Sequence, residues 1–359
     1  MPESADPPGL QRDAVIDWLA AAGVDLVGPV EASLFPGGRS NVTYRLVDST
    51  GASVVLRRPP LGNVLPTAHD MAREHRVLTG LNRVGFPAPR ALALCDDETV
   101  TGAPFLVMEY VDGRIVATSA EAATLTATAR AAVSGTLVST IANLHAVDID
   151  AAGLADLGRP GGYLPRQLAR WAKQWELTRT RDLPSMDALR DALASRLEAL
   201  PADLPWSLVH GDYRLDNVIL DPAGATVRAV LDWEMSTLGD PLSDLALTLV
   251  YWTEAGDGLR HRVPVAEHLT DAAGFWSRAQ LIDAYAAASG RPLDHLDACS
   301  ALACYKLAVI TESIHARTLS GKQLGTAAGD VHAMGVATEA LAEMGLAVAR
   351  DGTVAGLAS

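Results

Sequence analysis

Residues 208–221 read LVHGDYRLDNVILD. Two short apolar runs flank a connection that carries His210, Asp212, Asp216 and Asn217. A turn recruits Asp or Asn because such side chains hydrogen-bond their own backbone. That accounts for one or two of these residues, not for the whole set. Asp232 follows twenty residues after Asp212, at the end of the apolar run in TVRAVLDWE. Two carboxylates and a carboxamide on neighbouring strands make a hard oxygen set. Such a set suits Mg²⁺, which keeps several waters and takes one or two carboxylates beside phosphate oxygens. A carboxylate not spent on metal can accept a proton from a substrate hydroxyl.

The stretch sits in a chain that changes character near residue 112. Upstream, SVVLRR and FLVMEY are short β-favouring runs, and TAHDMAREHRVLTGLNRVG between them spaces Met71, Leu78 and Leu81 as a helix does. Downstream the pattern is mostly helical. Leu125, Ala129, Val133, Leu137, Ile141 and Leu144 recur three or four apart, and Thr118 with Glu121 reads as a capping box opening one long helix. Strand-like runs return only at 207–209 and 217–232, and two helices are expected near 274–289 and 294–316. The expected organisation is an N-terminal tail and helix (1–24), a small lobe (25–108), a hinge (109–114) and a larger lobe (115–350). The mouth of the 208–221 loop is expected to face a cleft between the lobes.

Composition removes several function classes. A net charge of −14 opposes a nucleic-acid surface. No run of about 18 uncharged apolar residues is present, so no membrane span is expected. The start MPESADPPGL lacks a basic and an apolar signal region and reads as a loose tail. Cys95, Cys299 and Cys304 have no metal-like or disulfide-like spacing. Together these lead us to expect a cytoplasmic protein.

HGDYRLDN followed by LDWE resembles the aminoglycoside phosphotransferase family, relatives of protein kinases. The resemblance spans roughly residues 25–320. VVLRRPP, YLPRQLARWAKQW and DWEMSTLGDPLSDLA are similar, more narrowly, to the kinase-like domains associated with acyl-CoA dehydrogenases. It implies an α+β, bilobal protein-kinase-like fold: a small N-terminal lobe with an antiparallel sheet and a helix, and a larger, mainly helical C-terminal lobe. It also implies an Mg²⁺-dependent transfer of the γ-phosphate of ATP, or GTP, to a hydroxyl of a small molecule. Position by position, Asp212 is the implied catalytic base and His210 the brace of its loop. Asn217 and Asp232 are the implied magnesium ligands. Gly37, Gly38, Ser40 and Asn41 are the implied phosphate-covering loop, and Met108, Glu109, Tyr110 and Val111 the implied adenine-contacting hinge. The same four hinge positions also read as an apolar strand edge.

The family expects a lysine on the third strand, where this chain has Arg57 and Arg58. Strand alternation puts Arg57 on the face of Val55, and its expected partner is Glu74 on the following helix. Arginine keeps the charge and can grip phosphate with two donors. Glu234 reads as a metal or substrate contact, or as a turn cap. Asp240 and Asp244 read as caps of the helix that follows. Arg166 and Arg170 belong to a basic stretch that also holds Lys173, Arg179 and Arg181 beside Trp171 and Trp175. It reads as a solvated helix face, or as a wall for an anionic acceptor. A hydroxyacyl-CoA-like metabolite and an aminoglycoside are the candidate acceptors. A nucleotide-binding pseudokinase scaffold and a metal hydrolase are the rival readings.

Overall fold

The computed structural model describes residues 6–35, 41–61, 70–159, 161–266, 268–321 and 332–358. In chain order its strands are β1 Glu31–Leu34, β2 Val42–Val47, β3 Ser53–Arg58, β4 Ala91–Cys95, β5 Phe105–Glu109, β6 Ser207–Val209, β7 Val218–Leu220, β8 Val227–Val230 and β9 Thr237–Gly239. The helices through the middle of the chain are α1 Arg12–Ala21, α2 Met71–Arg83, α3 Glu98–Thr101, α4 Ser119–Ala123, α5 Ala127–His145, α6 Ile149–Ala152, α7 Tyr163–Thr178 and α8 Pro184–Glu198. After them come α9 Leu242–Tyr251, α10 Arg278–Ser289, α11 Leu296–Leu319 and α12 Ala333–Asp351.

The chain forms two compact units. The first is 1–113 with two later segments, 148–154 and 228–235; the second holds the rest. The small antiparallel sheet and the larger helical part are those of a kinase-like fold.

In the first unit the five strands are ordered β1-β2-β3-β5-β4, with every neighbour antiparallel. β3 alternates in burial: Val54, Leu56 and Arg58 are buried, while Ser53, Val55 and Arg57 are less so. The buried face packs on α1 through Val15 and Leu19, and Trp18 meets Phe105 edge to face at 5.1 Å. Each such fully buried aliphatic side chain contributes about 1.5–3 kcal/mol. Arg58 lies on this core face because its head is satisfied there, donating to the backbone oxygens of Gly9 and Thr101. α2 starts with Asp70 accepting from the Arg73 amide, and it buries Met71, Glu74, Val77, Leu78 and Leu81. Gly80 allows the 148–154 segment to approach closely, since a Cβ there would stand 2.7 Å from the Ala152 oxygen.

The second unit is mostly helical. The helix expected to open at Thr118 is two helices. The Thr118–Glu121 capping box is present but starts only α4. The chain then breaks, and Thr126 caps α5 by accepting from the Ala129 amide. A second side-chain cap seven residues after Ser119 offers the backbone another start, so the apolar spacing does not run through as one helix. α7 buries Leu164, Leu168, Trp171 and Trp175, one stripe at helical spacing. α11 is buried along most of its length. β6 pairs with β9 and carries the chain into the residues that follow Val209.

Candidate active site

The first unit gathers one half-buried guanidinium and three carboxylates. Arg57, on the sheet face away from α1, donates to Glu74 at 2.9 Å and to Asp232 at 2.5 Å, and lies 3.4 Å from Glu234. Glu74 is 1 % exposed and Arg57 11 %. Asn41 donates to Glu234 at 2.8 Å. Thus Arg57, Glu74, Asn41, Asp232 and Glu234, scattered over almost two hundred residues, form one cluster. Ionised, three carboxylates against one guanidinium leave a surplus of two negative charges. Burial, then the neighbouring Asp232, pushes the Glu234 carboxyl up to about 7 against the pull of Arg57. Burial also raises the Glu74 carboxyl. Among the described residues Asn41 Oδ1 has no hydrogen-bond partner. Hard oxygens with surplus negative charge are the donor chemistry that a divalent magnesium ion takes, so the cluster fits the metal.

Asp232 has a left-handed backbone, φ 65°. Asp tolerates this better than most residues, but it still costs energy and recurs at functional positions. Trp233 anchors the turn: it is buried, donates from Nε1 to the Val230 oxygen at 2.9 Å and meets Phe86 edge to face at 5.8 Å. Val230 in turn donates to the Pro87 oxygen.

In the second unit the 208–221 loop is held mostly through its backbone. The buried Asp244 carboxylate accepts from the His210 amide at 2.6 Å and from the Gly211 amide at 2.8 Å. His145 Nε2 lies 3.4 Å from the same carboxylate, and its Nδ1 meets the Tyr285 hydroxyl at 2.7 Å. Burial would raise the Asp244 carboxyl, but the hydrogen bond and charge of His145, with His210, hold it below the ordinary range. His210 braces the loop, its Nδ1 accepting from the Asp212 amide at 3.2 Å. Gly211 adopts φ 83°, a conformation that favours glycine.

Asp212 projects its carboxylate among Asn217 Nδ2 at 3.2 Å, Arg214 Nε at 3.4 Å and the Tyr251 hydroxyl at 3.4 Å. Asn217 also donates to the Asp212 backbone oxygen at 2.9 Å. Its amide nitrogen is thereby spent inside the loop, and its oxygen is the atom left for a metal. Arg214 pairs with Asp216 at 3.0 Å and lies over the Tyr251 ring at 5.0 Å. Burial and the adjacent Asp212 raise the Tyr251 phenol well above 10.

Met108 is buried in β5, and Glu109 at its end pairs with Arg90 at 3.1 Å. Arg45 stacks 4.0 Å from the Tyr110 ring centroid, and Val111 follows outside the strand. Gly37, Gly38 and Ser40 lie outside the described residues.

The basic stretch divides. Arg166 donates to the backbone oxygens of Gly161 and Arg159 and so fastens the start of α7. Arg179 pairs with Glu176 and Asp182, and Arg181 with Glu339. Arg170 lies 5.5 Å over Trp171 and, among the described residues, has no ion pair. With Trp171, Gln174, Ile310, Ser313 and Arg317 it lines a cavity of about 240 Å³ between α7 and α11.

Sequence reasoning read both Asp240 and Asp244 as helix caps. Asp240 does receive the Leu242 amide at 2.9 Å. Asp244 instead holds the 208–221 loop through the His210 and Gly211 amides. Arg317 and Lys306 on α11 were not foreseen, and no local spacing ties either to residues before 212.

The phosphotransferase enzyme family model matches residues 31–302. Acyl-CoA dehydrogenase family member 10 of Mus musculus is 34% identical over 348 residues, covering 93% of this chain and 31% of that protein. The chain therefore spans about a third of the length of that relative. A structure from Ralstonia eutropha JMP134, provisionally described as an aminoglycoside phosphotransferase, is 34% identical with a TM-score of 0.77, covering 94% of this chain and 98% of that one. A thermostable variant of aminoglycoside phosphotransferase APH(4)-Ia, solved with ADP and hygromycin B, shares the fold at 15% identity and a TM-score of 0.59, over 91% and 98% of the two chains.

Proposed function

Since the chain belongs to the phosphotransferase enzyme family, we propose that it transfers the γ-phosphate of ATP to a hydroxyl of a small molecule in a magnesium-dependent reaction. The observation that carries this reading is the contact of Asp212 with Asn217 on a loop whose backbone is already fixed: a proton acceptor and a metal ligand prepared together. Asp212 takes the proton of the acceptor hydroxyl. The hydroxyl oxygen bonds to the γ-phosphorus as the bond to the bridging oxygen breaks, and ADP leaves. Asn217 in the second unit and Asp232 in the first are the positions that would hold magnesium, which would neutralise charge on the phosphate oxygens. Arg57, kept in place by Glu74, replaces the usual lysine as the phosphate-binding cation, and Glu234 with Asn41 completes the oxygen set. Most of the rate gain in such a reaction comes from positioning and charge neutralisation.

The acceptor we favour is anionic. Arg170 and Arg317 supply two cations, Gln174 and Ser313 supply neutral donors, and Trp171 supplies an aromatic wall. A hydroxyacyl thioester of coenzyme A has the phosphates such a cavity could hold. An aminoglycoside is cationic and would be repelled. The complex of APH(4)-Ia with ADP supports an adenine nucleotide as the donor side.

The test is phosphate transfer from γ-labelled ATP across a panel of hydroxyacyl-CoA thioesters, hydroxy acids and aminoglycosides, with and without Mg²⁺. The account expects magnesium-dependent labelling of an anionic acceptor. Labelling of aminoglycosides alone would overturn the assignment of the arginine cavity, and nucleotide binding without transfer to any acceptor would favour a scaffold.

A further inference from the structure

The peptide unit between Gly211 and Asp212 is gripped at both ends. Its N–H, that of Asp212, donates to His210 Nδ1 at 3.2 Å. Its carbonyl, that of Gly211, accepts from Lys306 Nζ at 2.5 Å. The preceding amide, that of Gly211, is bound by Asp244. Because the plane of this peptide precedes the Asp212 Cα, its orientation sets where the Asp212 carboxylate points. A lysine ammonium on a carbonyl is a charge-assisted bond, stronger than the ordinary neutral one.

Lys306 is an unusual residue for its place. It stands on α11 among Tyr305, Leu307 and Ala308, all buried. Burial lowers its ammonium, Asp212 and Asp244 raise it, and Arg170 and Arg214 lower it again. Its Nζ lies 5.7 Å from the Trp171 ring centroid. It also lines a narrow cavity of about 40 Å³ with Gly211, Ser243, Asp244, Gln167 and Trp171. A half-buried cation on an otherwise buried helix face is costly unless its position does something that an apolar residue could not. Here the side chain has one hydrogen-bond acceptor among the described residues, and it belongs to the residue before the base.

We propose that Lys306 is a positioning residue that fixes the direction of Asp212 by holding the Gly211 carbonyl. The inference rests on Asp212 being the base. It adds that α11, ninety-five residues further along the chain, sets the aim of that base. It acts through the Gly211 peptide and needs no contact with the acceptor.

Three variants test it. Lys306→Met keeps the apolar stem and removes the charge. Lys306→Gln keeps neutral donors, and Lys306→Arg keeps charge and donors. In Lys306→Met, kcat should fall roughly tenfold to a hundredfold, the cost of a misplaced catalytic group, while KM for ATP and for the acceptor changes less than about threefold. Lys306→Arg should recover part of kcat and Lys306→Gln less. In parallel, amide hydrogen exchange at Asp212 should accelerate in Lys306→Met, while amides of α9 and α11 away from the contact exchange as in wild type. Unchanged kcat, or equal losses of kcat and Tm in Met and Arg variants, would overturn the proposal. Exchange is read without turnover, so it separates the two claims. If wild type transfers phosphate to nothing, the functional reading fails, yet faster Asp212 exchange in Lys306→Met would still support the clamp, and unchanged exchange would refute it. Should Lys306→Met not fold, the same exchange comparison is made on Lys306→Gln.

Discussion

The Arg57 cluster and the Asp212 loop solve opposite problems. Around Arg57 the side chains face one another with too much negative charge, and one carboxyl rises to about 7 as a result. Around Asp212 the backbone is saturated: Asp244, His210 and Lys306 take up its amides and carbonyl. The first cluster sets three carboxylates against one guanidinium. In the second the loop backbone is held and the Asp212 carboxylate lies among Asn217, Arg214 and Tyr251. Under the proposed function the first cluster would supply the phosphate-binding cation and one metal ligand, and the second the base with the other metal ligand, Asn217.

Substitutions can break each side of this contrast. The largest stability loss is expected from Asp244→Asn. The amide nitrogen would face the His210 or Gly211 N–H, and the negative charge beside His145 would vanish. Leaving buried donors unmatched in this way costs about 3 kcal/mol or more, measurable as a lower midpoint in urea. Arg57→Ala should cost nearly as much at neutral pH, because it strands the buried Glu74 beside Asp232 and Glu234. Unlike Asp244→Asn, it should regain stability as acid protonates those carboxylates, and Arg57→Lys should recover part of both stability and activity.

Arg58→Ala is a smaller effect with a different readout. Its head bonds the backbone of Gly9 and Thr101 on the α1 face, so the variant should lose about 1–3 kcal/mol of stability while Mg·ATP affinity stays as in wild type.

The smallest effect concerns pH. Glu234 holds its proton up to about 7 in the folded protein against an ordinary value of 4.5. The native state therefore binds more protons than the unfolded one between these values, and stability falls as pH rises through that window. Glu234→Gln cannot ionise, so it should escape that fall, by on the order of 1–3 kcal/mol, and excess Mg²⁺ should shrink the difference. Parallel wild-type and mutant curves from pH 4.5 to 7.5 would show that Glu234 titrates normally.

How far the sequence could be read depended on the reach of each contact. The Asp212–Asn217 pair spans five residues, so the motif carried its own geometry. Arg57 with Glu74 was legible because the resemblance aligned Arg57 with the family's lysine and called for a glutamate on the following helix, where the spacing from Met71 to Leu78 put Glu74 on the apolar face. Glu234 could not be decided, since its neighbours Asn41 and Arg57 are distant in sequence. Asp244 was misread as a cap because a helix-start aspartate looks the same whether it binds its own helix or a loop thirty-odd residues earlier. The single helix expected from Thr118 failed at Thr126, where a second local cap outcompeted apolar periodicity. The return of 148–154 and 228–235 to the first unit leaves no mark in local pattern at all.

The central claim is that Asp232, in the Arg57 cluster, serves metal–nucleotide binding and Asp212, beside the other proposed metal ligand Asn217, serves proton acceptance. Calorimetric titration of Mg·ATP and of metal-free ATP into wild type, Asp212→Asn and Asp232→Asn, with phosphate transfer assayed on the same samples, tests it directly. Asp212→Asn should bind Mg·ATP within about threefold of wild type while transfer drops by roughly a hundredfold to ten-thousandfold. Asp232→Asn should lose most of the difference between Mg·ATP and metal-free ATP. If Asp232→Asn binds Mg·ATP as wild type does, or if Asp212→Asn transfers phosphate at the wild-type rate, the account is contradicted.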